Sequence, residues 1–101
     1  MGSPDRLQGR VYMKVESQYL GRLREFAGVN EETVIMDDGS LLIGLMEKLA
    51  QIHGAAFGFH QLRKNSYVIL INGVHYETLD AEKTVLKDGD TVVFLPVTMG
   101  G

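Results

Sequence analysis

Apolar and polar residues alternate strictly near the start of the chain. Between residues 10 and 17 the apolar Val11, Met13 and Val15 fall on one side, and Tyr12, Lys14 and a glutamate fall on the other. A period of two predicts a strand with one face turned towards a core. Runs of β-branched and aromatic residues predict further strands, which we place at 31–36, 67–71, 74–76 and 91–95.

One segment has the period of an α-helix, and it follows the turn-forming sequence at 37–39. Ser40 is expected to cap its N-terminus by accepting hydrogen bonds from the free N–H groups of the first turn. Gly54 is expected to end it in the left-handed conformation. Apolar residues recur at intervals of three and four and form one stripe along the helix. The stripe consists of Leu41, Leu42, Leu45, Met46, Leu49 and Ile52.

Three segments lack either period. Residues 1–9 are aperiodic and rich in turn formers, and we interpret them as a disordered arm or a cloning remnant. Residues 19–30 are expected to form a long connection with at most a short helical turn around Arg24. Residues 55–66 are expected to be irregular, with their aromatic side chains tucked inward.

The order of elements is strand, strand, helix, strand, short strand, strand. One amphipathic helix on a mixed sheet of four or five strands is an α+β fold with two layers. We therefore expect one domain at 10–96, followed by a flexible C-terminal tail at 97–101.

Composition narrows the functional classes. The chain has 101 residues and a mass of 11.2 kDa, which is enough for one domain. A net charge of −3 argues against a dedicated nucleic-acid binder. Without cysteine, the chain cannot form disulfides, thiolate metal sites or a cysteine nucleophile. No apolar run approaches the roughly 20 residues that span a bilayer, so we expect a cytoplasmic protein with no membrane partner.

The residues that often carry enzyme chemistry do not form a recognisable motif. His53, His60 and His75 match no metal-binding spacing. The two pairs of aspartates flank Gly39 and Gly89, where turn formation explains them better than acid–base catalysis does. The sequence therefore predicts neither a catalytic residue nor a metal site, and it favours a non-enzyme.

The C-terminal residues are the remaining candidates for chemistry. Because Gly100 and Gly101 have no Cβ atoms, the backbone could enter a channel too narrow for side chains. The α-carboxylate of Gly101 is an anionic oxygen nucleophile at neutral pH. Five extended residues after Pro96 reach roughly 16–18 Å, far enough to enter a partner's active site. The alternative is an inert tail that happens to end in glycine.

Three stretches of the chain resemble the ubiquitin-like sulfur carriers of the MoaD/ThiS family. They are Arg-Glu-Phe-Ala-Gly at 24–28, Ile-Asn-Gly at 71–73, and the stretch at 86–97 that leads to Gly100 and Gly101. The chain is most similar to the small subunit of molybdopterin synthase, the MoaD type. The resemblance implies a ubiquitin-like β-grasp fold and covers residues 10–101.

The resemblance also implies a carrier cycle in which Gly101 is the reactive residue. An E1-like adenylating enzyme of the MoeB/ThiF type would consume ATP to form an acyl-adenylate, and a sulfurtransferase would supply sulfur to give a thiocarboxylate. The MoaE-type large subunit of molybdopterin synthase would accept that sulfur. The tail residues Val97, Thr98, Met99 and Gly100 would thread into these partners, and no cofactor would be bound permanently.

Other fates of the same terminus remain open. Gly101 could form an isopeptide bond with a lysine of another protein, as a ubiquitin-like modifier does. The sulfur could serve thiamine synthesis or tRNA thiolation instead. A β-grasp interaction domain with an inert tail is the third alternative.

Strand alternation predicts where partners dock. If the helix covers the side of the sheet that carries Val11, Ile69 and Phe94, the alternate residues face away from it. Exposed apolar patches commonly mark partner contacts. The alternative is that the segment at 55–66 folds over this patch. The predicted interface consists of Val68, Leu70, Val93, Leu95 and Pro96.

Overall fold

The computed structural model describes residues 11–97. The predicted arm at 1–9 and tail residues 98–101 lie outside this range. The strands within it are β1 (Tyr12–Tyr19), β2 (Glu31–Asp37), β3 (Tyr67–Ile71), β4 (Val74–His75) and β5 (Thr91–Pro96). The α-helices are α1 (Leu23–Ala27), α2 (Leu42–His53) and α3 (Phe59–Lys64). Short 3₁₀ turns lie at Ala55–Phe57, Tyr76–Thr78 and Ala81–Lys83.

The five strands form one mixed sheet in the order β2-β1-β5-β3-β4. The central pair, β1 and β5, is parallel, and the other neighbours are antiparallel. The long helix α2 packs its buried stripe on one face of this sheet. The predicted α+β architecture, with one main helix on a mixed sheet, is confirmed.

The core lies between α2 and the sheet. Along β1 the buried positions alternate as predicted, and Met13 and Val15 are almost fully buried. From β5, Val92 and Phe94 are directed into the same layer. The helix contributes its stripe, of which four members are fully buried. These four are Leu42, Leu45, Met46 and Leu49.

The start of α2 differs from the prediction. Ser40 does not cap the helix, because its hydroxyl donates to the carbonyl of Asp37 over 2.6 Å and so tightens the preceding turn. The residue at the cap position is Leu41. The first helical N–H, that of Leu42, donates instead to the carbonyl of Thr84 over 2.8 Å. A distant loop therefore takes the place of the expected side-chain cap.

Two apolar residues assigned to the core are exposed. Val11 precedes β1 and is 61% exposed, because the pairing of β1 with β2 starts only at Tyr12. Ile52 is 57% exposed, because the inward position of that helical turn is taken by His53. Gly54 does adopt a positive φ of 119°, but its ψ of 166° is not that of the left-handed helix that we predicted.

Residues 55–66 are regular, which corrects the predicted irregular segment. A 3₁₀ turn and α3 follow one another there, and Gly58 separates them. Phe57 and Leu62 are buried in the core, as expected of an inward-facing segment. Each helical piece is too short to show a periodic pattern, and this explains why the sequence did not reveal it. Within 11–97, no helix is both long and apolar enough to cross a membrane.

Candidate functional site

Two apolar pairs face away from α2. Val68 lies opposite Leu95, and Leu70 lies opposite Val93, across the antiparallel ladder between β3 and β5. The residues that alternate with them are buried, so these four side chains lie on the other face of the sheet. All four are half-buried. The orientation predicted for these four residues, called the sheet patch below, is confirmed. Pro96, the fifth residue of the predicted interface, instead alternates with Leu95 and shares the side of Val92 and Phe94. The role of the sheet patch as an interface stays a prediction.

The segment at 55–66 packs on the α2 side of the sheet. The ring of Phe57 lies 5.1 Å from that of Tyr19 and 6.4 Å from that of Phe94, centroid to centroid. Leu62 belongs to the same core cluster. The alternative in which this segment folds over the sheet patch is therefore not the arrangement that the chain adopts.

Polar residues border the sheet patch on both neighbouring strands. Gln18 of β1 pairs with Val93, and His75 of β4 pairs with Leu70. The Nδ1 atom of His75 accepts a hydrogen bond from the N–H of Glu77 over 3.1 Å, which fixes the ring. An apolar centre with a polar rim is common in protein–protein interfaces.

The tail begins at the end of a central strand. β5 ends at Pro96, which pairs with Tyr67 of β3. The N–H of Val97 then donates to the carbonyl of Ser66 over 3.1 Å, and the Val97 side chain is 40% exposed. The other predicted threading residues, Thr98, Met99, Gly100 and Gly101, lie outside the residues that the structure describes. The described part of the tail therefore starts directly beside the sheet patch.

Gly21 holds the end of β1 against the start of the tail. Its φ is +70°, and a Cβ on this residue would lie 2.9 Å from Cγ of Pro96 and 3.3 Å from the hydroxyl oxygen of Tyr67. Any other residue would meet both backbone strain and a steric conflict here. The sequence predicted only a connection at 19–30, which includes this glycine. A glycine a few residues beyond the strand predicted at 10–17 was the available signal.

A groove opens beside Pro96 on the helical side of the sheet end. Its volume is about 430 Å³. It is lined by segments that are distant in sequence: the β1–α1 turn, α1, residues near α3, and the ends of β3 and β5. We call it the tail-side groove. Its lining consists of Gly21, Arg22, Leu23, Phe26, Ala56, Gln61, Asn65, Tyr67 and Pro96.

A partly buried polar cluster lies near the same end of the sheet. The hydroxyl of Tyr19 donates to Oε2 of Glu32 over 2.5 Å, and Nε2 of His53 lies 2.6 Å from the same oxygen. Burial, together with the neighbouring Glu32 carboxylate, raises the pKa of Tyr19 above its ordinary value of 10.0. His53 therefore has a neighbouring partner, and the cluster joins the end of α2 to β2.

The carboxylates of Asp88 and Asp90 organise the turn before β5. Asp88 accepts a hydrogen bond from the N–H of Lys14 over 2.8 Å. Asp90 accepts from the side-chain amide of Asn72 and from the N–H of Lys87, each over 2.8 Å. Among residues 11–97, no group of three His, Asp or Glu side chains is placed to hold a metal ion.

Comparison with known proteins identifies the family. The model of the ThiS family matches residues 17–101. A molybdopterin synthase sulfur carrier subunit of Chlamydomonas reinhardtii is 36% identical over 89 residues, which make up 88% of this chain and all of that protein. The chain belongs to the ThiS family. This confirms the resemblance that the stretches at 24–28, 71–73 and 86–97 indicated.

Solved structures share the ThiS-family fold of this chain. The Haloferax volcanii HVO 2177 protein has a TM-score of 0.73 at 25% identity, with 89% of this chain and 88% of that chain covered. Small archaeal modifier protein 1 of Methanosarcina acetivorans has a TM-score of 0.69 at 25% identity, with 90% of this chain and 99% of that chain covered. The ubiquitin-like β-grasp expected from the sequence is confirmed.

Proposed function

We propose that this ThiS-family chain is the sulfur carrier subunit of a molybdopterin synthase. The observation that carries the proposal is the 36% identity to a sulfur carrier subunit of that name, across that protein's whole length. The placement of the sheet patch beside the start of the tail supports it, because a partner that holds the tail can also contact this patch.

The proposed chemistry takes place at Gly101. Its carboxylate oxygen attacks the α-phosphorus of ATP on an E1-like adenylating enzyme, and pyrophosphate leaves. The terminal sulfur of a sulfurtransferase persulfide then attacks the acyl carbon and AMP leaves. A second thiol reduces the resulting acyl disulfide and releases a thiocarboxylate. ATP is thus a substrate of the partner, and this chain contributes the group that is charged.

The proposed partners use one docking surface in turn. The adenylating enzyme covers the sheet patch while it holds the tail, and the large subunit of molybdopterin synthase binds the same patch when it takes the sulfur. The four residues of the sheet patch are apolar and uncharged, which is typical of the centre of a protein–protein interface. Because both enzymes use the same surface, they cannot bind the carrier at the same time.

Mass spectrometry of the intact protein tests the proposal. The carrier is incubated with its cognate adenylating enzyme, ATP and a sulfurtransferase loaded with persulfide. We expect the mass increase of one oxygen replaced by sulfur, and none when ATP is omitted. An unchanged mass in the complete reaction, with the enzymes active on a known carrier, would contradict the proposal and favour an inert tail.

A protein modifier is the second candidate. The similarity to small archaeal modifier protein 1 of Methanosarcina acetivorans favours it. In that case the activated carboxyl of Gly101 forms an isopeptide bond with a lysine amine of another protein. Lysine-linked adducts that end in the C-terminal residues of this chain would identify this activity. A thiocarboxylate that supports thiamine synthesis or tRNA thiolation, but not molybdopterin synthesis, would instead assign the carrier to another pathway.

A further inference from the structure

The tail-side groove and the sheet patch lie on opposite faces of the same sheet end. Pro96 and Tyr67 share the face of Phe94, which is buried under the helices, whereas Leu95 belongs to the sheet patch. The groove therefore forms a second concave surface at the point where the tail begins. Of the residues in the predicted interface, Pro96 alone is among the lining of the groove, and the four residues of the sheet patch are not.

The lining of the groove has a distinct chemistry. Apolar area comes from Phe26, which is 50% exposed, and from Leu23 at the floor. Arg22 is the charged residue among the described lining, and no described lining residue is acidic. A second cation lies alongside, because Nε of Arg24 donates to the carbonyl of Gly21 over 3.3 Å. The groove thus combines an apolar pocket with two neighbouring arginines, and Glu25 is the acidic residue of the same short helix.

The short tail brings a partner close to this groove. Five residues beyond Pro96 extend roughly 16–18 Å at most. An enzyme that holds Gly101 in a narrow channel must therefore bring the mouth of that channel to the surface around Pro96. Because Pro96 lines the groove, an enzyme surface around that mouth would lie within reach of the groove as well as of the sheet patch.

We propose that the tail-side groove receives an apolar side chain of the adenylating enzyme that is flanked by carboxylates. The apolar side chain packs against Phe26 and Tyr67, and the carboxylates pair with Arg22 and Arg24. This inference rests on the proposed function. It adds a second contact, on the face of the sheet that the helices cover. The partner would then contact both faces at this end of the sheet and align the tail between them. Apolar anchors ringed by polar contacts carry much of the affinity of many interfaces.

Kinetics with matched variants test the inference. ATP–pyrophosphate exchange by the cognate adenylating enzyme is measured against carrier concentration, at low and at moderate salt. The groove variants are Arg22→Glu and Phe26→Ser. The controls are Lys87→Glu and Val85→Ser, which lie together at a different cavity; Val85 is 52% exposed, close to the value for Phe26. Circular dichroism and thermal unfolding confirm that each variant folds.

We expect each groove variant to raise the KM for the carrier by roughly tenfold, with kcat little changed. The KM of Arg22→Glu should also depend less on salt, since an ionic contact is lost. The control variants should match the wild type. If Phe26→Ser does not fold, the result for Arg22→Glu decides alone.

Several results would overturn the inference. If both groove variants have the wild-type KM while Leu70→Asp raises the KM, the groove does not contact the enzyme. The proposed function would then still hold. Perturbation of the Phe26 and Tyr67 resonances by AMP or ATP alone would assign the groove to a nucleotide. Self-association that Phe26→Ser abolishes would assign it to a second copy of this chain. An unreactive wild type would contradict the proposed function itself.

Discussion

Gly21 and Pro96 meet so closely that a Cβ on the glycine would lie 2.9 Å from the proline Cγ. This contact links the end of β1 to the last residue of β5. It also forms one wall of the tail-side groove. The position of Pro96, with which β5 ends, therefore depends on a glycine far from it in sequence.

Gly21→Ala is expected to destabilise the domain by about 2–3 kcal/mol, because a positive φ and a steric conflict act together. Gly39→Ala is the matched control. Its φ is +84° but nothing lies within 4 Å of an added Cβ, so only backbone strain of about 1 kcal/mol is expected. Urea unfolding measures both changes. Equal losses of stability in the two variants would show that the contact with Pro96 is unimportant.

Leu70→Asp is expected to keep the fold and to abolish binding to the adenylating enzyme. Leu70 is half-buried on the open face of the sheet, so a carboxylate there stays hydrated in the free protein but would be desolvated in the complex. Calorimetric titration measures the binding, with Val85→Asp as the control at an exposed apolar site elsewhere. Retained binding, or an unfolded variant, would count against the sheet patch as the interface.

The burial of Tyr19, together with its hydrogen bond to Glu32, predicts a dependence of stability on alkaline pH. Since the pKa of Tyr19 is raised in the folded state, the unfolded chain loses this proton first as the pH rises. The stabilisation is complete below the unfolded tyrosine pKa of about 10 and is lost as the pH rises towards the folded value. Urea unfolding from pH 7 to 11 measures it.

Tyr19→Phe is the control for this pH dependence. We expect it to be less stable than the wild type by about 1 kcal/mol at neutral pH, since one hydrogen bond to Glu32 is lost. The difference between the two proteins should shrink above about pH 10. A constant difference across this range would show that Tyr19 titrates at its ordinary pKa in the folded protein.

The sequence predicted those parts of the fold that depend on long periodic patterns. Alternation along β1 identified Met13 and Val15 as core residues, and the helical stripe identified Leu45 and Leu49. The same alternation oriented the sheet patch correctly. Periodicity is informative in these elements because each spans several repeats of its pattern.

Other features could not be predicted, because they depend on contacts between distant segments. The N–H of Leu42 is satisfied by Thr84, so no local signal showed that Ser40 would not cap the helix. The tail-side groove draws its lining from segments that only the fold brings together. Sequence reasoning identified the short helical turn near Arg24, but not the surface that this turn would help to form.

Extension of the chain by one residue after Gly101 tests whether charging requires the carboxylate at this position. The added residue moves the carboxylate out of the position that the adenylating enzyme requires, so we expect no charging. Stability should change by less than about 0.5 kcal/mol, as is usual for a surface change far from the core. Thermal unfolding and ATP–pyrophosphate exchange measure the two effects. An extended chain that is charged at the wild-type rate would place the reactive group elsewhere.

In the proposed function, the carboxyl group of Gly101 is the group that partners charge with sulfur. Fragmentation mass spectrometry of the C-terminal peptide, after reaction with the adenylating enzyme, ATP and the loaded sulfurtransferase, locates the sulfur. We expect the replacement of oxygen by sulfur to be confined to Gly101 and to disappear when ATP is left out. Sulfur found on another residue, or a C-terminal peptide that remains a plain carboxylate, would contradict it.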